Sequence, residues 1–230
     1  MKAHTLFTDR WGGVSEGAYQ NFNLAFHVGD DPKAVAINRQ ILQQRHRTPP
    51  IVWMEQVHGD TIRQIQNADL DTLPACDALV TDQPDIALAV MVADCLPILM
   101  VDETNGIIAA VHAGRNGTFL RIAPKTLRRM SELGADTGQI RVRIGPAIGP
   151  CCYEVDEKMA RIVKENFGDR YVNGRYLDLK ALNRDQLITA GIKPEHIEIS
   201  PLCTRCHKDL FSYRREQKTG RFAGLVWLEG

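Results

Sequence analysis

The chain has 230 residues, 44% of them hydrophobic and 24% charged, enough to bury a core without disulfides and unlike the compositions of disordered or fibrous chains. Its 28 Lys plus Arg balance 28 Asp plus Glu, so no global field recommends nucleic acid or an anionic membrane as a partner. The longest apolar runs, such as residues 86–93, are too short to span a bilayer, and the N-terminus has no sustained apolar segment. These features predict a cytoplasmic protein whose six cysteines are thiols, metal ligands or catalysts rather than a disulfide framework. No shift in composition divides the chain, so residues 1–230 are expected to form a single domain.

In chain order, Gly12, Gly13 and Gly17 mark residues 10–23 as a loop. Asp31-Pro32 is an N-cap and first-turn pair, and Ala34, Ile37, Ile41 and Leu42 recur on one face, which predicts a helix over 32–46. Residues 51–54 and 61–65 read as strands flanking Glu55-Gln56-Val57-His58-Gly59-Asp60, which places His58 near a strand end. The run 86–93 suits a strand buried on both faces, interrupted by Asp94 and Cys95. Residues 98–101 and 107–111 flank an Asn105-Gly106 hairpin signal. A loop centred on Thr104 makes paired residue numbers sum to 208, with Cys95 opposite Ala113; at roughly 5 Å between cross-strand neighbours, Cys95 and His112 then reach one ion. A strand over 139–144, helices over 154–167 and 178–190, and strands over 197–199 and 222–228 complete a mixed α+β chain.

Imidazole and thiolate are the ligands that a borderline-soft ion such as zinc prefers, and His58, Cys95 and His112 together leave a fourth position open, the mark of a catalytic site. The same residues also read as two hydrogen-bonded histidines and a packed thiol, because no short zinc spacing joins them. Cys203-Thr-Arg-Cys206-His207 spells the haem-attachment pattern, but that chemistry goes with export. His196-Ile-Glu198 followed by Pro201-Leu-Cys203-Thr-Arg-Cys206 imitates a zinc deaminase signature with Leu202 intruding, so the segment is read as a strand and a thiol-containing turn. Cys151 and Cys152 are read as packed thiols of a turn-rich loop. The run from Arg205 to Arg221, with Phe211 and Tyr213 between its cations, is the best local anion site, and the turn Gly114-Arg-Asn-Gly117-Thr118 is a second.

The ordered set Thr8-Asp-Arg10-Trp-Gly-Gly13-Val-Ser15, Gln56-Val-His58-Gly59, Cys76-Asp77-Ala-Leu-Val-Thr81, Ala93-Asp-Cys95-Leu-Pro97, Val111-His112-Ala-Gly114, Gly145-Pro-Ala-Ile-Gly-Pro150 and Phe211-Ser-Tyr-Arg-Arg215 resembles the bacterial laccase-domain family, also called the YfiH or multicopper polyphenol oxidase-like family. The resemblance covers nearly the whole chain. It implies a mixed β-sandwich flanked by helices, with zinc at His58, Cys95 and His112. It also implies purine nucleoside phosphorylase activity on adenosine, inosine and methylthioadenosine, with adenosine deamination. Relatives carry copper-dependent phenol oxidase and cell-wall-precursor editing labels as well. One departure is that the family's usual His-Ala-Gly-Trp-Arg-Gly reads here His112-Ala-Gly-Arg115-Asn116-Gly117.

With that resemblance in hand, Arg10, Arg214 and Arg215 are assigned to phosphate, and Asp94 to orienting the site or carrying a proton beside the metal-ligating Cys95. Two readings compete. Cys95 activated by His112 makes a cysteine hydrolase acting on amide bonds of cell-wall precursors, and a metal-holding interaction protein makes no product at all. A multicopper oxidase needs many histidines around several coppers, whereas the chain has seven in all; phenol oxidation is then expected only where Cu2+ displaces Zn2+.

Overall fold

The computed structural model describes residues 1–69 and 73–229. The first strand, β1 (Lys2–Phe7), is followed by a loop to residue 31 and by helix α1 (Pro32–His46), whose N-cap Asp31 accepts a hydrogen bond from the Lys33 amide. Next come β2 (Ile51–Val52), β3 (Ile62–Gln64), β4 (Ala78–Thr81) and β5 (Ala87–Val92). The hairpin β6 (Leu96–Asp102) and β7 (Ile107–Ala113) leads into helices α2 (Arg115–Phe119) and α3 (Ile122–Glu132). The remainder is β8 (Arg141–Ile144), α4 (Glu157–Phe167), the short pair β9 (Val172–Asn173) and β10 (Tyr176–Leu177), α5 (Leu179–Thr189), β11 (Ile197–Ile199), α6 (Tyr213–Glu216) and β12 (Phe222–Glu229).

Two mixed sheets carry the fold, one in the order β1-β12-β5-β2 and one in the order β11-β8-β6-β7-β4-β3. Strands β5, β6 and β7 are buried along their whole length, as near-continuous apolar runs require when both faces are covered. Between the sheets, Leu88, Val90, Phe222 and Val226 meet Leu79, Leu99, Ile108 and Ala110. The outer face of the larger sheet is closed by Leu127 and Met130 of α3, Val163 of α4 and Leu182 and Leu187 of α5. The outer face of the smaller sheet is closed by Phe22, Leu24 and Leu42, from the N-terminal loop and α1. The architecture is therefore the expected α+β sandwich flanked by helices, in one domain.

Among the differences from the sequence reading, three have a clear physical cause. The hairpin pairs Pro97 with His112 and Leu96 with Ala113, a sum of 209 rather than 208. The cause is Asp102, fully buried, whose Oδ1 accepts the Thr104 and Asn105 amides and so fixes a four-residue loop over 103–106, ended by Gly106 at φ 66°. Helix α4 begins at Glu157 rather than Glu154 because Asp156 is its N-cap, accepting from the Met159 amide. Residues 53–54 leave the sheet after β2, and Gln56 takes over its pairing: its amide donates to the Met91 carbonyl at 2.7 Å and accepts from the Met91 amide at 2.8 Å. A side chain thus continues the ladder beside β5 and holds the turn that carries His58.

Candidate metal centre

The chain passes from one sheet to the other between β5 and β6, and Ala93, Asp94 and Cys95 make that crossing. Cys95 is therefore delivered to the end of the sandwich where His112 stands one residue before the end of β7 and where the Gln56 turn presents His58. The three ligand atoms lie within 4.8 Å of one another, and the two imidazole rings meet edge to face with centroids 4.8 Å apart. Burial grades across the cluster, from exposed His58 through half-buried Cys95 to buried His112, so that the open side faces solvent. His58 at φ 60° and Asp94 at φ 100° hold left-handed backbone that non-glycine residues rarely adopt, which is how two tight turns converge here.

Asp77, one residue before β4 and fully buried, organises the cluster. Its Oδ1 lies 2.7 Å from His112 Nδ1 and accepts the His58 amide at 3.0 Å, while Oδ2 accepts the Gly59 amide at 2.7 Å. Burial opposes ionisation of Asp77, but the His112 hydrogen bond and these amides outweigh it and hold the carboxyl below its usual range. An ionised carboxylate only accepts, so His112 carries its proton on Nδ1 and offers Nε2 as a ligand, the carboxylate–histidine–metal arrangement of many metal sites. Burial pushes the Cys95 thiol up, yet His112 and then His58 bring it down to about 6. Burial likewise lowers His112, but Cys95 and Asp77 raise it to about 9. Each group thus favours the charged form of the other. Gly114 leaves the space the cluster needs, since a Cβ there would lie 3.0 Å from Cys95 Sγ and 3.5 Å from His58 Cδ2. The donor set, its oriented second layer and this cleared approach fit a single thiophilic ion.

The cluster lies in a cavity of about 370 Å³, within the range of small-molecule sites. Met91, Val92 and Ile148 give it apolar surface, and Gln56, His27, Tyr153, Arg214 and Arg221 supply polar groups. Burial, then Arg221 and Arg39, hold His27 below its usual value, so it is neutral at pH 7. Burial raises Tyr153, which stays a phenol and a donor.

Of the residues expected at the site from sequence, the structure brings His58, Cys95, His112, Asp94 and Arg214 to this cavity. Asp94 spends its oxygens locally: Oδ1 accepts from Thr204 Oγ1 at 2.5 Å and Ser212 Oγ at 2.7 Å, and Oδ2 accepts from the Arg214 amide at 2.6 Å. It latches the C-terminal loops to the crossing turn and so places Arg214. Arg10 and Arg215 are not brought to the cavity. Arg215 donates to the carbonyls of Thr204, Arg205, His207 and Leu210 and to Glu216, which consumes its fork. Arg10 donates to the Gln20 carbonyl and to Glu216 and stacks on Phe211. Both arginines are internal staples, a role that a count of cations in sequence does not distinguish from ligand binding. Arg115 and Asn116 open α2 as exposed residues outside the cavity lining. Asp77, Tyr153, Gln56 and His27 are the site residues that sequence reading did not assign.

The fold and the cluster define a class: a helix-flanked β-sandwich with an open two-histidine, one-cysteine centre where the chain crosses between its sheets. The family described as multi-copper polyphenol oxidoreductase laccase matches residues 4–229, and the chain belongs to it. Similar proteins include a purine nucleoside phosphorylase of Corynebacterium glutamicum, 46% identical over 97% of this chain and 93% of that one, and one of Streptomyces coelicolor, 43% identical over 99% and 96%. The solved structure of the hypothetical protein YfiH from Bacillus licheniformis superposes with a TM-score of 0.93 at 33% identity, covering 99% of this chain and 93% of that one. Among the described residues no helix is long and apolar enough to cross a membrane.

Proposed function

We propose that the chain is a zinc-dependent purine nucleoside phosphorylase that takes inosine, adenosine or methylthioadenosine together with phosphate, and that the same cavity admits adenosine for deamination. The observation that carries this reading is the oriented cluster of His58, Cys95 and His112 in a cavity rimmed by Arg214 and Arg221. The names of the similar bacterial proteins support it. His58, Cys95 and His112 would hold zinc, which would supply Lewis acidity there.

The residues of the chain do the rest. Arg214, held through its amide by Asp94, and Arg221 offer guanidinium donors to phosphate, which attacks the anomeric carbon of the ribose as the base departs. The Tyr153 phenol and neutral His27 are placed to hydrogen-bond polar edges of the nucleoside, and Met91, Val92 and Ile148 keep water from its apolar face. Among the described residues, the ligand group here is His58, Cys95 and His112, enough for one ion, which favours a mononuclear centre over a multicopper one.

A second reading has its own observation. Cys95 thiolate, His112 and Asp77 form a nucleophile–base–carboxylate series, the constellation of a cysteine hydrolase acting on amides. Product chromatography separates the two. Incubation of metal-quantified protein with each nucleoside, with and without phosphate, is expected to yield free base and a pentose 1-phosphate only when phosphate is present, and His112→Ala is expected to abolish both. Amide cleavage that zinc inhibits and thiol alkylation stops, with nucleosides untouched, would select the hydrolase instead.

A further inference from the structure

We propose that Cys151, Cys152, Cys203 and Cys206 form a second, structural metal site that binds one zinc ion as a tetrathiolate. The four sulfurs come from two distant segments, the loop after β8 and the turn after β11, yet lie within 4.8 Å of one another. Cys206 Sγ stands 3.8 Å from Cys151 Sγ and 3.4 Å from Cys152 Sγ. A zinc–sulfur bond of about 2.3 Å in tetrahedral geometry requires sulfur–sulfur edges of roughly 3.8 Å, so the cluster has the dimensions of a mononuclear site. All four cysteines are free thiols, with Cys152 and Cys203 buried and Cys151 and Cys206 on the outer side.

The surroundings suit thiolates. The Gly149 amide donates to Cys203 Sγ at 3.2 Å, and Arg205 Nη1 lies 3.6 Å from Cys152 Sγ. Lys180, almost fully buried, lines the same hollow as Cys151 and Cys203 and donates to the carbonyls of Ser200 and Leu202. These cations offset the negative charge of a tetrathiolate centre. Four protein ligands leave no open position, so the site is structural rather than catalytic.

Its place in the fold gives it a task. The segment bearing Cys151 and Cys152 also supplies Ile148 and Tyr153 to the cavity wall, and the Ile148 amide donates to the Asp94 carbonyl at 2.9 Å. Thr204, between the other two ligands, holds the Asp94 carboxylate. An ion joining the two segments fixes the wall that carries Tyr153 and the latch that positions Arg214. The inference stands apart from the catalytic reading, because the four cysteines neither line that cavity nor ligate its ion.

The test uses the whole chain purified under reducing conditions and titrated with zinc or cobalt(II) alone. Wild-type protein is expected to bind about two zinc ions per chain, and His112→Ala about one. Cobalt(II) bound to His112→Ala is expected to give the strong sulfur-to-metal charge-transfer and visible bands of a tetrathiolate, lost on adding Cys206→Ser. Because a cysteine variant can fail to fold, the stoichiometry and cobalt(II) spectrum of His112→Ala, with all four cysteines intact, decide the matter. A His112→Ala chain that takes up no stoichiometric zinc, or whose cobalt(II) form lacks tetrathiolate bands, overturns the proposal, whatever the nucleoside assays show.

Discussion

Asp77 sets the protonation and orientation of the centre although it touches no substrate, and its replacement separates orientation from ligation. Asp77→Asn keeps the volume but removes the charge, and its amide cannot both accept from His112 and satisfy the His58 and Gly59 amides as the carboxylate does. The expected result is zinc affinity lower by about 10–100-fold, measured against a competing chelator, with the overall fold retained. The Cys95–His112 pair also dictates a pH dependence. Above about 9 both are already in the ligating form; between about 6 and 9 zinc displaces one proton, from His112; below about 6 it must also displace the Cys95 proton. Affinity is therefore expected to rise with pH across that window, by about tenfold per unit for the one proton released by the pair. A flat profile between pH 6 and 9 would show that the apo pair carries no proton in that window, being already thiolate and neutral imidazole.

At the scale of elements, the centre depends on turns that converge rather than on one helix or strand. Gly114 caps α2 directly behind Cys95, and Gly114→Ala puts a methyl group 3.0 Å from Cys95 Sγ, a contact relieved only if the sulfur or the turn shifts. Zinc affinity is expected to fall by about tenfold or more while the thermal midpoint changes little, since ligand geometry is the quantity disturbed. The two adjacent arginines of α6 should part company in the same way. Arg214→Ala removes a cation from the cavity rim and is expected to raise the KM for phosphate about tenfold, in line with the roughly 1.5–3 kcal/mol of a charged hydrogen bond. Arg215→Ala strands the carbonyls of Thr204, His207 and Leu210 and is expected instead to lower the midpoint by several degrees. Equal effects on KM would contradict this division of labour.

For the whole molecule, the sandwich is the means by which residues far apart in sequence are brought to one end. Much of this was legible: the Asp31-Pro32 cap, the apolar run of β5 and the hairpin of β6 and β7 are local signals, and local chemistry made them. The pairing sum missed by one because the buried Asp102 carboxylate, not the Asn-Gly pair alone, sets the loop. The His58–Cys95–His112 cluster was legible as a ligand set of suitable chemistry, sharpened by resemblance to a family. Asp77 was not, since an acidic residue before a strand looks the same in sequence whether it faces solvent or a histidine. Sequence does not separate Arg10 and Arg215 from Arg214 for a related reason: it carries no record of which guanidinium groups the backbone consumes. The adjacent and spaced cysteines were read apart because only the parallel pairing of β8 with β11, continued by the Ala147–Cys203 bridge, brings their loops together.

The most direct measurement is a metal titration of turnover. Apo protein is reloaded with increasing zinc while phosphate-dependent release of hypoxanthine from inosine is followed, beside His112→Ala treated identically. The account predicts that turnover rises in proportion to occupancy of the His58–Cys95–His112 centre and stays absent in the variant at any zinc level. Phosphorolysis that is undiminished in the metal-free protein, or that persists in the variant, would contradict it.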